Sequence, residues 1–211
     1  MYVNFPKESD TMSDGSKSDI TAKKRVRALF EELLDWINEI IKMLVIAVLM
    51  CTFVVRPARV EGSSMLPTLV DKDMIILWNL CYEPRQGDII AANSYNLPNA
   101  DGTRGKIIVK RIIAVGGQEI NIDFDEGKVY VDGELFEVVG LANITTDRES
   151  NYDYPLTVPD GKYFVMGDNR QHSTDSRSAL VGFIDRDDIL GKAVFRIYPF
   201  YTAGSLYSNR D

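Results

Sequence analysis

A chain of 211 residues that is 45% hydrophobic and 26% charged is long enough for one sizeable core, or for one domain with an anchor and a tail, and is too apolar to be disordered. Its net charge of -7 argues against a general nucleic-acid binder, whose phosphate contacts need a concentrated basic surface. With one histidine, His172, and two cysteines, an ordinary metal site has no ligand cluster to draw on, so neither metal nor cofactor is expected.

Residues 1–18 are polar, mixed in charge and aperiodic, which predicts a mobile tail. From Ser18-Asp19, a suitable N-cap, apolar residues recur at Val26, Leu29, Phe30, Leu33, Leu34, Ile37, Ile40, Ile41 and Leu44. That is the helical period, and it predicts one amphipathic helix over 19–55 that runs into the apolar stretch Met43 to Val55. Lys23, Lys24, Arg25 and Arg27 near its start suit either an anionic membrane surface or a solvated helix face. Met43 to Val55 alone is too short for a bilayer, but extending back to Trp36 gives roughly the twenty residues that a span needs. What precedes it is too long for a signal-peptide n-region, and Arg56-Pro57-Ala58-Arg59 follows in place of an A-x-A cleavage pattern. The expectation is an uncleaved anchor over about 36–55, with a small surplus of basic residues before it favouring an inside N-terminus. Cys51 lies within this stretch and Cys81 beyond it, so both are expected to be free thiols.

After Pro57 the apolar period becomes two. Strands are expected at Met74 to Leu80, Asp88 to Ala92, Lys106 to Val115, Glu119 to Ile122, Lys128 to Val131, Lys162 to Met166 and Ala193 to Tyr198. Asp101-Gly102, Asp132-Gly133 and Asp160-Gly161 mark turns. Residues 93–105 and 140–160 read as loops, no repeat is visible, and Asn143-Ile144-Thr145 is a sequon of a kind common by chance. The fold class is mainly β: a coiled or barrel-like sheet domain over 56–200, with a C-terminal tail over 201–211.

Three segments hold side chains suited to chemistry. Gly62-Ser63-Ser64-Met65-Leu66-Pro67-Thr68-Leu69 has the composition of a turn, and Ser64 becomes a nucleophile only if a base takes its proton. His172, in a polar loop, reads as solvent-exposed. Lys110 interrupts Ile107-Ile108-Val109 and Ile112-Ile113 on the strand face shared with Ile108 and Ile112, while Arg111 points the other way. Burial there would lower its pKa and leave a neutral amine, but an edge-strand lysine that blocks aggregation has the same pattern. The third segment, Gly167 to Arg177, follows a buried strand and reads as a networked loop in which Asp168, Arg170, Asp175 and Arg177 pair and bond backbone amides.

Taken together and in this order, the three segments resemble the nucleophile, lysine and Gly-Asp-Asn-Arg boxes of type I signal peptidases. Gly87-Asp88-Ile89-Ile90, Gly182-Phe183-Ile184 and Gly191-Lys192-Ala193 resemble further boxes of that family, and the likeness covers roughly residues 36–200. Short spacers and a single anchor resemble its compact Gram-positive form. The resemblance implies a membrane-bound serine endopeptidase with its catalytic domain on the extracytoplasmic side and the N-terminus inside. It implies preprotein substrates with small side chains one and three residues before the cut, and a lipid bilayer as partner. By the same resemblance Ser64 attacks the scissile carbonyl, Lys110 is general base and then acid, and Ser173 orients the lysine amine. The backbone amide of Ser64 supplies an oxyanion donor, and Arg111, Asp168, Asp175 and Arg177 form a supporting ion-pair shell. Two positions depart from the pattern: Gly62 stands where proteobacterial members carry a second oxyanion hydroxyl, and Ala114-Val115-Gly116-Gly117-Gln118 replaces the usual Gly-x-Pro-Gly-Asp run. Rival readings are an inactive relative serving as a membrane-bound binding module, and a self-cleaving Ser/Lys repressor, which would need a helix-turn-helix where the apolar helix stands.

Overall fold

The computed structural model describes residues 14–53, 55–98, 102–138, 141, 144, 145 and 152–207, leaving aside the side chains of 14–23 and 51–53. The chain divides between Met50 and Cys51 into two compact units. The first carries helix α1, Asp14–Phe53, which starts ahead of the predicted cap. Apolar periodicity marks only the packed part of a helix, and polar residues prolong it at little cost. From Ile40 to Met50 every large apolar side chain is exposed. Among the described residues no helix is long and apolar enough to cross a membrane. Of the tail predicted over 1–18, residues 14–18 belong to α1 and 1–13 lie outside the described residues, as do residue 54 and the side chains of 51–53, Cys51 among them, at the end of the predicted span.

The second unit is mainly β, as expected. Its strands are β1 Val55–Arg59, β2 Met74–Trp78, β3 Ile89–Pro98, β4 Arg104–Val115, β5 Glu119–Asp123, β6 Lys128–Val131, β7 Glu134–Leu135, β8 Leu156–Thr157, β9 Lys162–Met166, β10 Ile184–Asp185, β11 Ile189–Tyr198 and β12 Gly204–Ser205. The expected coiled or barrel-like sheet is two sheets laid out along open paths: β1-β2-β11-β3-β4-β9-β10, with β12 on β11, and β7-β6-β5-β8. The described strand pairs are antiparallel. Ile113, Phe164 and Met166 from the larger sheet pack with Ile120, Ile122 and Val129 from the smaller one. Val60, Met65, Leu69, Ile75, Leu77 and Ile89 form a second cluster, under the segment that carries Ser64.

Three local expectations change. Residues 93–98, polar enough to read as loop, extend β3 because Asn93 and Ser94 pair with Ile107 and Lys106 of β4; a ladder partner outweighs weak strand propensity. Val55–Arg59 is a strand despite Pro57, which is tolerated because β1 is the end of its sheet and pairs with β2 alone. The end of the chain is no free tail as far as residue 207. β12 pairs with Phe195 and Arg196, the Ile89 amide donates to Tyr207 Oη, and the Lys192 ammonium lies 4.3 Å from the Tyr207 ring centroid. Cys81 is free and exposed. Asn143 lies outside the described residues, whereas Thr145 of the same tripeptide is buried and its hydroxyl accepts from Arg170.

Leu69 is fully buried in the cluster beneath the serine segment. Leu69→Ala is expected to destabilise the β unit by ~2–5 kcal/mol, read as a lowered urea midpoint with the slope unchanged.

Candidate active site

The segment from Gly62 to Leu69 owes its position to two apolar plugs. Met65 and Leu69 enter the core while Ser64 between Ser63 and Met65 stays half-exposed at the rim. The Leu69 amide donates to the Met65 carbonyl at 2.9 Å and the Leu66 amide to the Ser63 carbonyl at 3.2 Å, closing a tight turn. Gly62 has φ of +86° and donates its amide to Asp71 Oδ1. Its left-handed backbone favours glycine, so a serine there would carry strain of roughly 1 kcal/mol.

Lys110 lies on β4, opposite Ile90 on β3. β9 joins β4 only from Arg111 onward, but the Lys110 side chain is buried and not displayed to solvent, so it is no aggregation-blocking edge lysine. Its side chain is 5% exposed, and Nζ lies 2.6 Å from Ser64 Oγ. Burial, the largest influence, pushes the amine down from 10.5 to about 8; Asp175 pulls the other way, and Lys106 adds to the lowering. A neutral amine at hydrogen-bond distance from a hydroxyl is what proton removal from serine requires. His172 is exposed and lines the rim of the adjoining groove, so the base candidate that meets Ser64 is Lys110.

The loop after β9 is held by two buried, two-pronged ion pairs. Arg111 Nε and Nη2 donate to Asp168 at 2.7 and 2.6 Å, and Arg177 Nε and Nη2 donate to Asp175 at 2.8 and 2.9 Å. Asp175 also accepts from the Gly167 amide, and Arg177 donates to the Arg170 carbonyl. The loop reaches the serine segment through Asn169, which the residue pattern did not single out, and through Asp168, which it did. The Asn169 amide donates to the Ser64 carbonyl at 3.0 Å, Asn169 Nδ2 donates to the Ser63 carbonyl at 3.1 Å, and Thr68 Oγ1 donates to Asp168 Oδ2 at 2.5 Å. Gly167 passes so close that a Cβ there would collide with the Ser64 carbonyl and the Ser173 side chain. Asn169 and Gly167 were visible as members of a polar loop, but nothing in their spacing names the carbonyl they meet.

Ser173 differs from expectation. Its Oγ is buried and has no hydrogen-bond partner, so the expected bond to the lysine amine is not formed. The residue is held through its carbonyl, which accepts from Arg177 Nη2 at 3.2 Å, and the hydroxyl is left unengaged.

Ser64 and Lys110 sit at one end of a groove of about 860 Å3, walled by residues 57–65 on one side and 105–110 on the other. Both walls offer strand edges. β1 pairs only with β2, and β9 pairs with β4 only from Arg111 onward, so residues 106–110 are paired on one side only, with β3. An extended peptide lying between two such edges finds main-chain partners on both sides. No group of three or more metal-ligating side chains occurs among the described residues.

A family model described as signal peptidase, peptidase S26, matches residues 33–198. The chain is similar to the protein named Probable signal peptidase I-1 of Synechocystis, 36% identical over 170 residues, covering 78% of this chain and 82% of that one. It is also similar to signal peptidase I S of Bacillus subtilis, 32% identical over 194 residues, covering 87% and 96%. Among solved structures, a signal peptidase I from Enterococcus faecalis matches at 29% identity over 53% of this chain and 97% of that one, with a TM-score of 0.40.

The lowered amine makes stability depend on pH. Below about 8 the ammonium is carried in both states and its burial opposes folding; between about 8 and 10.5 the unfolded chain binds more protons, so stability rises with pH. Lys110→Met is therefore expected to be more stable than the native chain at pH 7, by up to about 3 kcal/mol. The gain should shrink toward pH 10 in urea titrations at the two pH values.

Proposed function

The chain belongs to the signal peptidase family, peptidase S26, and on that premise we propose that it is a serine endopeptidase that removes N-terminal signal peptides from exported preproteins by a Ser/Lys mechanism. The observation that carries this reading is the 2.6 Å contact between Lys110 Nζ and Ser64 Oγ at the end of a groove with two strand edges. The neutral amine takes the hydroxyl proton as Ser64 Oγ attacks the scissile carbonyl. The oxyanion that forms accepts from the Ser64 backbone amide, a preorganised contact worth roughly 3 kcal/mol in comparable sites. The Lys110 ammonium gives its proton to the departing amine, so the peptide bond breaks and an ester on Ser64 remains. Water then attacks the ester, with Lys110 again taking the proton, and Ser64 Oγ leaves with that proton restored. Ser173, with an unengaged hydroxyl, is the residue suited to hold the amine while Ser64 is acylated. Arg111, Asp168, Asp175 and Arg177 place the parts and take no proton.

The same proposal puts α1 in the cytoplasmic membrane, with the span over about 36–55, residues 1–18 inside and the β domain outside. The support is the exposed apolar surface from Ile40 to Met50 and the roughly twenty-residue apolar length in the sequence. A substrate tethered in the same bilayer by its own apolar segment is presented at raised effective concentration.

Cleavage of a preprotein in detergent, with the cut mapped by mass, tests the reading. Ser64→Ala and Lys110→Ala are each expected to reduce cutting to background, and kcat/KM for the native chain should rise through pH about 8 as the amine deprotonates. Substantial turnover by Lys110→Ala would sink the mechanism. Gly167→Ala is expected to fold, by circular dichroism, yet to lose about a hundredfold in kcat, because displacing the Ser64 carbonyl misaligns the nucleophile.

A further inference from the structure

The groove contains a charged group that proton transfer does not use. Lys106 lines it four residues before Lys110 on β4, and strand alternation puts Lys106, Ile108 and Lys110 on one face. Among the described residues the Lys106 ammonium has no hydrogen bond or ion pair of its own. The carboxylate that lines the groove, Glu61, is on the opposite wall and exposed, and Arg59 beside it offsets its charge. With Lys106 the groove is lined by the apolar Leu97, Pro98, Ile108 and Leu180. An unpaired cation in a wall that an extended peptide would follow is a ready acceptor site for a carboxylate.

One wall runs up to Ser64 and the other up to Lys110, and the family resemblance puts the residues before the cut under selection. At ~3.3 Å per residue, Lys106 stands about 13 Å along the strand from Lys110. We propose that Lys106 forms a polar subsite favouring a carboxylate-bearing substrate residue about four positions before the scissile one. This rests on the peptidase reading above. The same ammonium repels a proton from Lys110, so Lys106 links substrate charge to the basicity of the site.

The test uses the full chain in detergent and peptides bearing Asp, Gln or Lys in turn at roughly the third to sixth residues before the cut. The quantity read is the ratio of kcat/KM for the Asp and Lys peptides within one enzyme, so a variant with impaired turnover still reports. The native chain is expected to favour Asp by about threefold to fivefold or more at one position, the scale of a single partly exposed ion pair. Lys106→Gln should flatten the preference and Lys106→Glu should invert it. On the Gln peptides Lys106→Gln should also move the rising limb of the pH profile to higher pH, which a merely structural lysine would not do. An unchanged Asp-to-Lys ratio in Lys106→Glu overturns the subsite alone. A native chain that cuts no peptide, as silent as Ser64→Ala, overturns the peptidase reading and the subsite with it.

Discussion

The rest of the structure depends on holding one lysine amine in apolar surroundings against one serine hydroxyl. Two opposing effects act on that amine. Burial disfavours its charge, while Asp175 and Asp168 nearby favour it, and burial is the larger. The acids lose because each is already engaged: Asp175 by Arg177 and the Gly167 amide, Asp168 by Arg111 and Thr68. A carboxylate whose lone pairs are filled by a guanidinium attracts a further cation only weakly. The two ion pairs thus keep four charges near the site without leaving any one of them to hold Lys110 protonated. That arrangement costs stability at neutral pH, as expected where a buried charge is tuned for use.

The serine is positioned by a division of labour between packing and hydrogen bonds. Burying Met65 and Leu69 contributes roughly 1.5–3 kcal/mol each and decides that the segment docks at all. The Asn169 bonds to the carbonyls of Ser63 and Ser64, and the Thr68 bond to Asp168, each contribute about 1 kcal/mol. They decide where within that docked segment the hydroxyl points. Farther along, Arg196 donates both to the Thr68 carbonyl and to Asp73, whose carboxylate caps the Val70 amide. The serine segment is therefore gripped from β11 and from the loop after β9, two elements distant in sequence. Rigid support of this kind is what a proton transfer over one hydrogen bond demands.

Much of this was legible in the residues alone. Alternation placed Lys110 with Ile108 and Ile112 and turned Arg111 away, because side-chain direction in a strand is set by covalent geometry and not by what lies nearby. The apolar run within α1, the mainly β character after Pro57 and the polar loop at 167–177 were local signals of the same sort. What misled was also local. Asn93 and Ser94 looked like loop because their strand state is conferred by Ile107 and Lys106 on the neighbouring strand, and Pro57 hid a strand that is allowed only at an edge.

The sequence by itself determined which residues have side chains suited to chemistry and which face of its strand Lys110 takes, since residue type and backbone period are properties of the chain. Only the tertiary structure decided that Lys110 Nζ meets Ser64 Oγ across 46 positions, that Asn169 holds the serine segment, that the Ser173 hydroxyl is unengaged, and that Lys106 lines the groove. Each of these is a distance between segments remote in sequence, fixed by how the strands pair and how the core closes beneath them, and no local pattern encodes it.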